Sequence, residues 1–289
     1  MSFPTDKMLK IAVASGKGGT GKTTISVSLA LSLGRAQFVD CDVEEPNAHL
    51  FLKPEIQEEE VVEIPVPRVN YEKCTFCGEC AKVCAYNAIA VLPNKVLIFD
   101  ELCHGCGACT MFCPEKAMYE VGHPTGVIQH GRAGEIDFWH GILNVGEPMA
   151  VPIIRKLKKR LRDDVPVVLD AAPGTSCPVV ETIRRTDFSI LVTEPTPFGF
   201  HDFKLGVEVL RKVGVPFGAI INRADKGTDE VRKYCEQEGI PVLMEVPFDR
   251  RVAEGYSRGK PLVEVLPEYR ERFLNVYATI SELLPARAA

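Results

Sequence analysis

Residues 15–24 read SGKGGTGKTT, and together with their flanks they restrict the fold more than any other stretch of the chain. MLKIAVA (residues 8–14), just ahead of them, is a short apolar run of the kind that makes a buried strand. TTISVSLALSLG, just behind, reads as a helix stopped by Gly34. Between a strand and a helix, the spacing G-x-x-x-x-G-K-[ST], here Gly16, Gly21, Lys22 and Thr23, makes a phosphate cradle. Its backbone amides and the helix N-terminus surround phosphate oxygens. Lys22 then bridges the outer phosphates and Thr23 holds Mg2+. Nucleotide contacts are thus expected from Gly16 through Thr24, with Gly18, Gly19 and Thr20 between them. One residue is surplus to such a cradle: a second lysine, Lys17.

AQFVDCD ends another strand-like run in Asp40 and Asp42, which alternation puts on one face, with Cys41 on the other. VPVVLDAAPG is a buried-strand run ending in Asp170, followed by a turn at Pro173 and Gly174. A carboxylate at the carboxyl end of an apolar strand is where a phosphate-loop ATPase keeps its magnesium-side acid. Strand and helix patterns then alternate through FSILVTEP, FKLGVEVLRKVG, FGAIINR, DEVRKYCEQEG and PVLMEVPFD. This alternation predicts an α/β fold with a doubly wound, mostly parallel sheet that binds ligands at the carboxyl ends of its strands.

The composition changes after the first pair of aspartates. KPEIQEEEVVEIPVPRV (residues 53–69) is acidic and punctuated by proline, and is expected as an extended connector. It leads into CTFCGECAKVCA and then CHGCGACTMFCP, an internal repeat in which Cys74, Cys77, Cys80 and Cys84 recur as Cys103, Cys106, Cys109 and Cys113. C-x2-C-x2-C-x3-C, twice, is the run of bacterial two-cluster ferredoxins. Three close cysteines cap one face of a cubane, and in those ferredoxins the last cysteine of each run serves the other cluster. The resemblance implies one 4Fe-4S cluster on Cys74, Cys77, Cys80 and Cys113, and a second on Cys84, Cys103, Cys106 and Cys109. A zinc site would favour separated C-x2-C pairs over this triplet. One departure stands out: Pro114 follows Cys113 as the pattern expects, but Ala85 follows Cys84.

SGKGGTGKTT, VDCDVEEPN, VVLDAAPGT, INR and VPFDRRVAEG together resemble the deviant Walker ATPases of the MinD and ParA superfamily. The nitrogenase iron protein and the Mrp-type iron–sulfur carriers belong to the same superfamily. The resemblance covers nearly all of the chain outside residues 70–121. It implies an ATPase domain made of residues 1–69 and 122–289, interrupted by an α+β ferredoxin domain at 70–121. It also implies ATP and Mg2+ as cofactors and a homodimer when ATP is bound, with Lys17 reaching across to the partner's phosphates. By the same resemblance Asp42 orients the attacking water on the Mg2+ side, Asp170 lies in the second magnesium shell, and Asn222 reads adenine. The loop from Pro247 to Asp249 would line the base.

Three cysteines of the eleven lie outside the repeat. Cys41 and Cys235 read as small buried apolar residues. Cys177 follows the second switch-like segment; near there the nitrogenase iron protein holds a cluster between subunits, although a buried structural thiol is the simpler expectation. No cysteine follows Cys235, so the C-terminal C-x-x-C of Mrp-type carriers is missing. A net charge of −5 argues against non-specific nucleic-acid binding, and RKLKKRLR (155–162) is expected as a solvated helix face. YRERFLNVYATISELL has few basic residues and is expected to pack on the sheet, not to lie on a membrane. With no membrane-spanning run and no hydrophobic signal core, a cytoplasmic protein without stable membrane insertion is expected. The function that fits is ATP hydrolysis gating electron transfer through two clusters to an unidentified redox or iron–sulfur partner. A cluster assembly or carrier factor and a MinD-like spatial organiser are the alternatives.

Overall fold

A computed structural model of the chain describes residues 8–285. Strand β1 (Lys10–Ser15) lies between β8 (Val167–Pro173) and β9 (Phe188–Thr193). Beyond β9 come β10 (Phe217–Asn222) and β11 (Val242–Val246); beyond β8 come β2 (Ala36–Asp40) and β7 (Ile136–Leu143). All of these pair in parallel. The nine-stranded sheet is completed by β6 (Met118–Ala133) and, at its edge, β3 (Glu55–Val69), each antiparallel to its inner neighbour. The expected mostly parallel α/β sheet is therefore present.

Alternating side chains send each strand into two cores. On one face α1 (Lys22–Leu33), α10 (Leu262–Val265) and α11 (Tyr269–Leu283) cover Ile11, Phe38 and Val168. The C-terminal helix buries Phe273, Val276, Tyr277 and Ile280 here, and the Tyr277 hydroxyl accepts a hydrogen bond from the Leu9 amide. It packs on the sheet, as expected. The short helices α2 (His49–Leu52) and α9 (Arg250–Tyr256) flank this core, Phe51 lying against Tyr256. On the other face α5 (Val151–Lys158), α6 (Cys177–Ile183), α7 (Pro197–Val213) and α8 (Glu230–Gln237) cover Ala12, Val39 and Leu169.

Two expectations need correction. Residues 53–69 are not a free connector: 55–69 form the edge strand β3, paired with β6 from Glu55 opposite Arg132 to Val69 opposite Met118. An edge strand tolerates the charges and prolines that a central strand would not. Since β7 stops opposite Gly126, residues 62–69 and 118–125 run on as a two-stranded ribbon past the carboxyl end of the parallel strands. The ribbon carries the cysteine segment, with α3 (Glu79–Val83), α4 (Ala108–Met111) and the hairpin of β4 (Ile89–Leu92) and β5 (Lys95–Ile98). The basic run 155–162 is also not simply solvated. Ile153, Ile154 and Leu157 of its helix are buried, Lys156 and Arg160 pair with Glu60, and Arg155 pairs with Glu181.

Candidate functional site

The glycine loop joins β1 to α1 at the carboxyl end of the sheet. Two glycines are required there. A Cβ on Gly16 would lie 2.1 Å from the Asp202 carbonyl oxygen, and one on Gly21, whose φ is +87°, would lie 2.4 Å from Asn222 Nδ2. The faces of Gly18 and Gly19 are open, so the loop presents backbone outward, as phosphate binding demands. Thr20 Oγ1 is buried with no hydrogen-bond partner among the described residues, an oxygen left for a ligand. Lys17 is half-buried and its ammonium makes no ion pair among the described residues.

Behind the loop the two catalytic-type side chains converge on one acid. Lys22 Nζ lies 2.8 Å from Asp170 Oδ1, and Thr23 Oγ1 donates to Asp170 Oδ2 at 2.7 Å. Asp170 thus grips Lys22 and Thr23 directly, one bond behind the hydroxyl expected to hold Mg2+. Burial alone would lower the Lys22 ammonium; Asp170, with Asp40 and Asp42 behind it, outweighs this and holds it above its usual value. Burial and then the Asp170 charge push Asp40 up to about 7. Burial raises Asp42 to about 6 against the pull of Lys22. Three carboxylates around one ammonium leave an excess of negative charge and a set of hard oxygen donors, which suits Mg2+.

Asp40 has a structural task that sequence reasoning missed. It is fully buried, and its carboxylate accepts from the amides of Asp42, Asn47 and Ala48, holding the loop that presents Asp42. Its signal was present as the first acid of Asp-Cys-Asp.

Asn222 donates to the Thr20 carbonyl at 2.8 Å and borders a groove of about 300 Å3. Gly19, Gly21, Thr24, Pro247 and Asp249 also line this groove. Phe248, inside the expected Pro247–Asp249 loop, and Tyr256, which sequence reasoning missed, supply aromatic surface there. Asp249 additionally caps α9 through the Arg251 amide. A largely apolar groove with the Asn222 amide at its edge, opening beside the phosphate cradle, fits a purine base.

The cysteine segment contains two small cavities. Cys74, Cys77, Cys80 and Cys113 wall one, and Cys84, Cys103, Cys106 and Cys109 wall the other. In each, the last cysteine has crossed over from the other run. The repeat, offset by 29 residues (74 to 103), extends to the backbone: left-handed conformations occur at Phe76 and Gly105, Gly78 and Gly107, and Asn87 and Lys116. The Ala88 amide donates to Cys84 Sγ and the Ala117 amide to Cys113 Sγ, both at 3.3 Å. Ala85 in place of proline leaves this turn unchanged. Among the described residues no group of three or more His, Cys, Asp or Glu side chains is arranged to hold a single ion. A cubane does not ask for that, because each thiolate takes a different corner iron. The donor set is all sulfur and fits iron–sulfur clusters.

The remaining cysteines divide. Burial pushes the Cys41 thiol up to about 12 and the Cys235 thiol up to about 11, and both are inert core residues, as expected. Cys177 is exposed at the start of α6, so the expectation of a buried thiol fails there. Helices commonly start at a surface, and the cysteine follows its N-cap, Ser176.

The family model described as the CobQ/CobB/MinD/ParA nucleotide binding domain matches residues 11–262. An uncharacterized protein of Methanocaldococcus jannaschii is 30% identical, the match covering 93% of this chain and 97% of that one. The iron-sulfur cluster carrier protein of Pyrococcus horikoshii is 25% identical over 88% of this chain and 79% of its own. Among solved structures, the cell division ATPase MinD of Pyrococcus furiosus has a TM-score of 0.57 at 20% identity, covering 96% of this chain and 99% of that one. MinD of P. horikoshii, solved with Mg-ADP, has a TM-score of 0.56 at 20% identity, covering 95% and 96%. With the family model spanning most of its length and the loop, acids and groove arranged as above, the chain belongs to the CobQ/CobB/MinD/ParA nucleotide-binding family.

Proposed function

We propose that the chain is an ATP-hydrolysing iron–sulfur protein in which a nucleotide-dependent homodimer gates electron transfer through two 4Fe-4S clusters. The reading is carried by the two cavities, each walled by four cysteines drawn from both runs, on the same end of the sheet as the glycine loop. Residues 70–121 then act as a ferredoxin domain inserted into an ATPase made of residues 1–69 and 122–289. The clusters supply one-electron transfer when bound. In the ATPase, Lys22 and the loop amides hold the outer phosphates, and Thr23, with Asp170 behind it, faces Mg2+. Asp42 orients the attacking water, and Lys17, which makes no ion pair among the described residues, completes the partner's site.

Two measurements test this. Anaerobically purified protein should carry about eight irons per chain, four for each cluster. Cys113→Ser should then abolish the resonance signal of the cluster on Cys74, Cys77 and Cys80; loss of the other cluster instead would overturn the ligand exchange. With ATP, Asp42→Ala should trap a homodimer that Lys17→Ala weakens, and normal dimerisation of the Lys17 variant would remove its trans role.

A second reading, cluster delivery, is favoured by the name of the Pyrococcus relative, an iron-sulfur cluster carrier protein. Complete four-cysteine walls around both cavities favour retention over delivery. Transfer of iron to an apo-ferredoxin at a rate set by ATP would reverse the preference. A MinD-like membrane organiser draws least support, since α11 is committed to the core and no described helix is long and apolar enough to cross a membrane.

A further inference from the structure

The end of the sheet remote from the glycine loop carries a second concave site. Lys10 opens β1, whereas Gly16 follows its last residue, so the two ends lie about 20 Å apart by strand rise. Around Lys10 lies a groove of about 550 Å3 lined by Arg155, Lys158, Lys159, Arg184 and Arg185 as well. Among the described residues only one carboxylate, Glu181, is part of its wall, and the whole protein carries a net charge of −5. Six cations gathered around one concavity in an acidic protein repel one another, and among the described residues only two of them have a carboxylate partner. Arg155 spends its charge on Glu181, and Lys10 on Asp163, an exposed residue. Lys158 is bound to the carbonyl oxygens of Glu181, Thr182 and Arg184 at the end of α6, and so fixes the floor. Lys159, Arg184 and Arg185 make no ion pair among the described residues. Arg185 stands just after the C-cap of α6 at a φ of +60°, the left-handed turn with which helices commonly end.

From this geometry we infer a binding site for a small polyanion carrying two or more phosphoryl groups, separate from the ATP site. Guanidinium forks match phosphoryl oxygens two at a time, and the volume falls within the range of small-molecule pockets. A long nucleic acid is disfavoured because Asp163, Asp164 and Glu60 border the same basic helix and loop and would repel a continuous phosphate chain. The proposal does not depend on the clusters, and its failure would leave the ATPase reading standing.

The test uses the full chain saturated with ADP, so that the glycine loop is filled, and calorimetric titration with inorganic tripolyphosphate. Binding of one equivalent is expected, weakened at least about tenfold in Arg184→Ala/Arg185→Ala through lost charge-assisted bonds. Lys159→Glu is the control for folding: it changes one exposed charge and should weaken binding with the melting temperature unchanged. No binding to the ADP-saturated protein, or equal binding by the Arg184/Arg185 variant, would overturn the site. So would a single-stranded oligonucleotide whose affinity rises with its length and exceeds that of tripolyphosphate.

Discussion

The glycine loop and the cysteine segment stand at the same end of one sheet, yet they are ordered by different means. The loop is rooted in β1 and α1, between two cores that include Ile11, Ile25 and Phe38 on one side and Leu169, Phe203 and Leu191 on the other. Its Lys22 and Thr23 side chains are both held by Asp170. The cysteine segment buries little: around Ile89, Val96, Cys109 and Met118 in one cluster, and Ala88 and Cys103 with ribbon residues Ile64 and Val66 in another. Tyr71, Tyr86, Leu92, Phe99, Leu102, Met111 and Phe112 remain more than 40% exposed. A segment that short has too little apolar area to order itself, and natural domains of that size borrow a metal as their core. The nucleotide end is ordered before its ligand arrives; on the reading proposed above, the cysteine segment takes its order from the clusters it holds.

The largest effect should come from stripping the iron. Metal binding is folding free energy where no site exists in the unfolded chain. After chelation, amide exchange across residues 70–117 should lose its protection while β1, β8 and β9 keep theirs and ADP still binds. Retained protection in 70–117 would show that the segment has a sufficient core without clusters, and the contrast between the two regions would break down.

The opposite cut comes next. Lys22→Ala and Asp170→Ala should each lower ATP turnover about 100-fold or more, a loss of about 2.7 kcal/mol of transition-state stabilisation. Iron content and cluster signals should not change. Cluster loss in either variant would mean that the segment also depends on the nucleotide end for its order.

Sequence alone revealed whatever is written in residue type at fixed spacing. The glycine loop and the cysteine runs are of this kind, because backbone approach and thiolate ligation admit few substitutes. What it hid depends on neighbours that are distant in the chain. Residues 55–69 look like a connector because an edge strand can afford Glu58, Glu59, Glu60, Pro65 and Pro67; only pairing with β6 makes them a strand. The direct grip of Asp170 on Lys22 joins residues 148 apart and leaves no local pattern. The basic run 155–162 has its partners at Glu60 and Glu181, far off in sequence, so its own composition suggested solvent.

The acids behind the loop give the nucleotide end a pH response of its own. Asp40 has its pKa raised from 3.8 to about 7, so its contribution to stability is full below 3.8 and is lost as pH rises through about 7. His140, opposite Asp40 in β7, has its pKa lowered from 6.5 to about 4 by burial and then by His49. Its contribution is full above 6.5 and is lost as pH falls to about 4. Over the shared window Asp40 and Asp42, the latter raised to about 6, pull one way and His140 the other, so the parent should lose stability as pH rises. Asp40→Asn should flatten this slope and His140→Gln should steepen it, each on the order of 1–2 kcal/mol. Urea unfolding followed by the fluorescence of Trp139, the single tryptophan and a neighbour of His140, reads this end directly. Parallel slopes in all three proteins would remove the assignment.

The smallest effect concerns how the two regions communicate. The loop held by Asp40 shares a bond with the end of β7, where the Leu143 amide donates to the Val43 carbonyl at 2.8 Å. Asn144 then bonds the Thr125 and Pro124 carbonyls of β6, and Glu147 lies 2.8 Å from His123 Nε2. On its other side His123 faces Asp100 at 3.9 Å, and Asp100 binds Arg68 and, through its carbonyl, the amide of Cys103. A loop that shifts when the γ-phosphate leaves would therefore move the end of β7 and, through His123, the turn that enters the second cysteine run. Linkage requires that any effect of ATP on cluster potential be matched by an effect of cluster oxidation on ATP affinity. The low end of such couplings is about 1 kcal/mol, roughly fivefold in affinity. His123→Ala and Glu147→Gln should shrink the difference in ATP affinity between oxidised and dithionite-reduced protein towards zero. Affinity in the oxidised state and iron content should stay as in the parent. If both variants keep the full difference, coupling travels along the β3–β6 ribbon itself, and the two regions are joined by backbone alone.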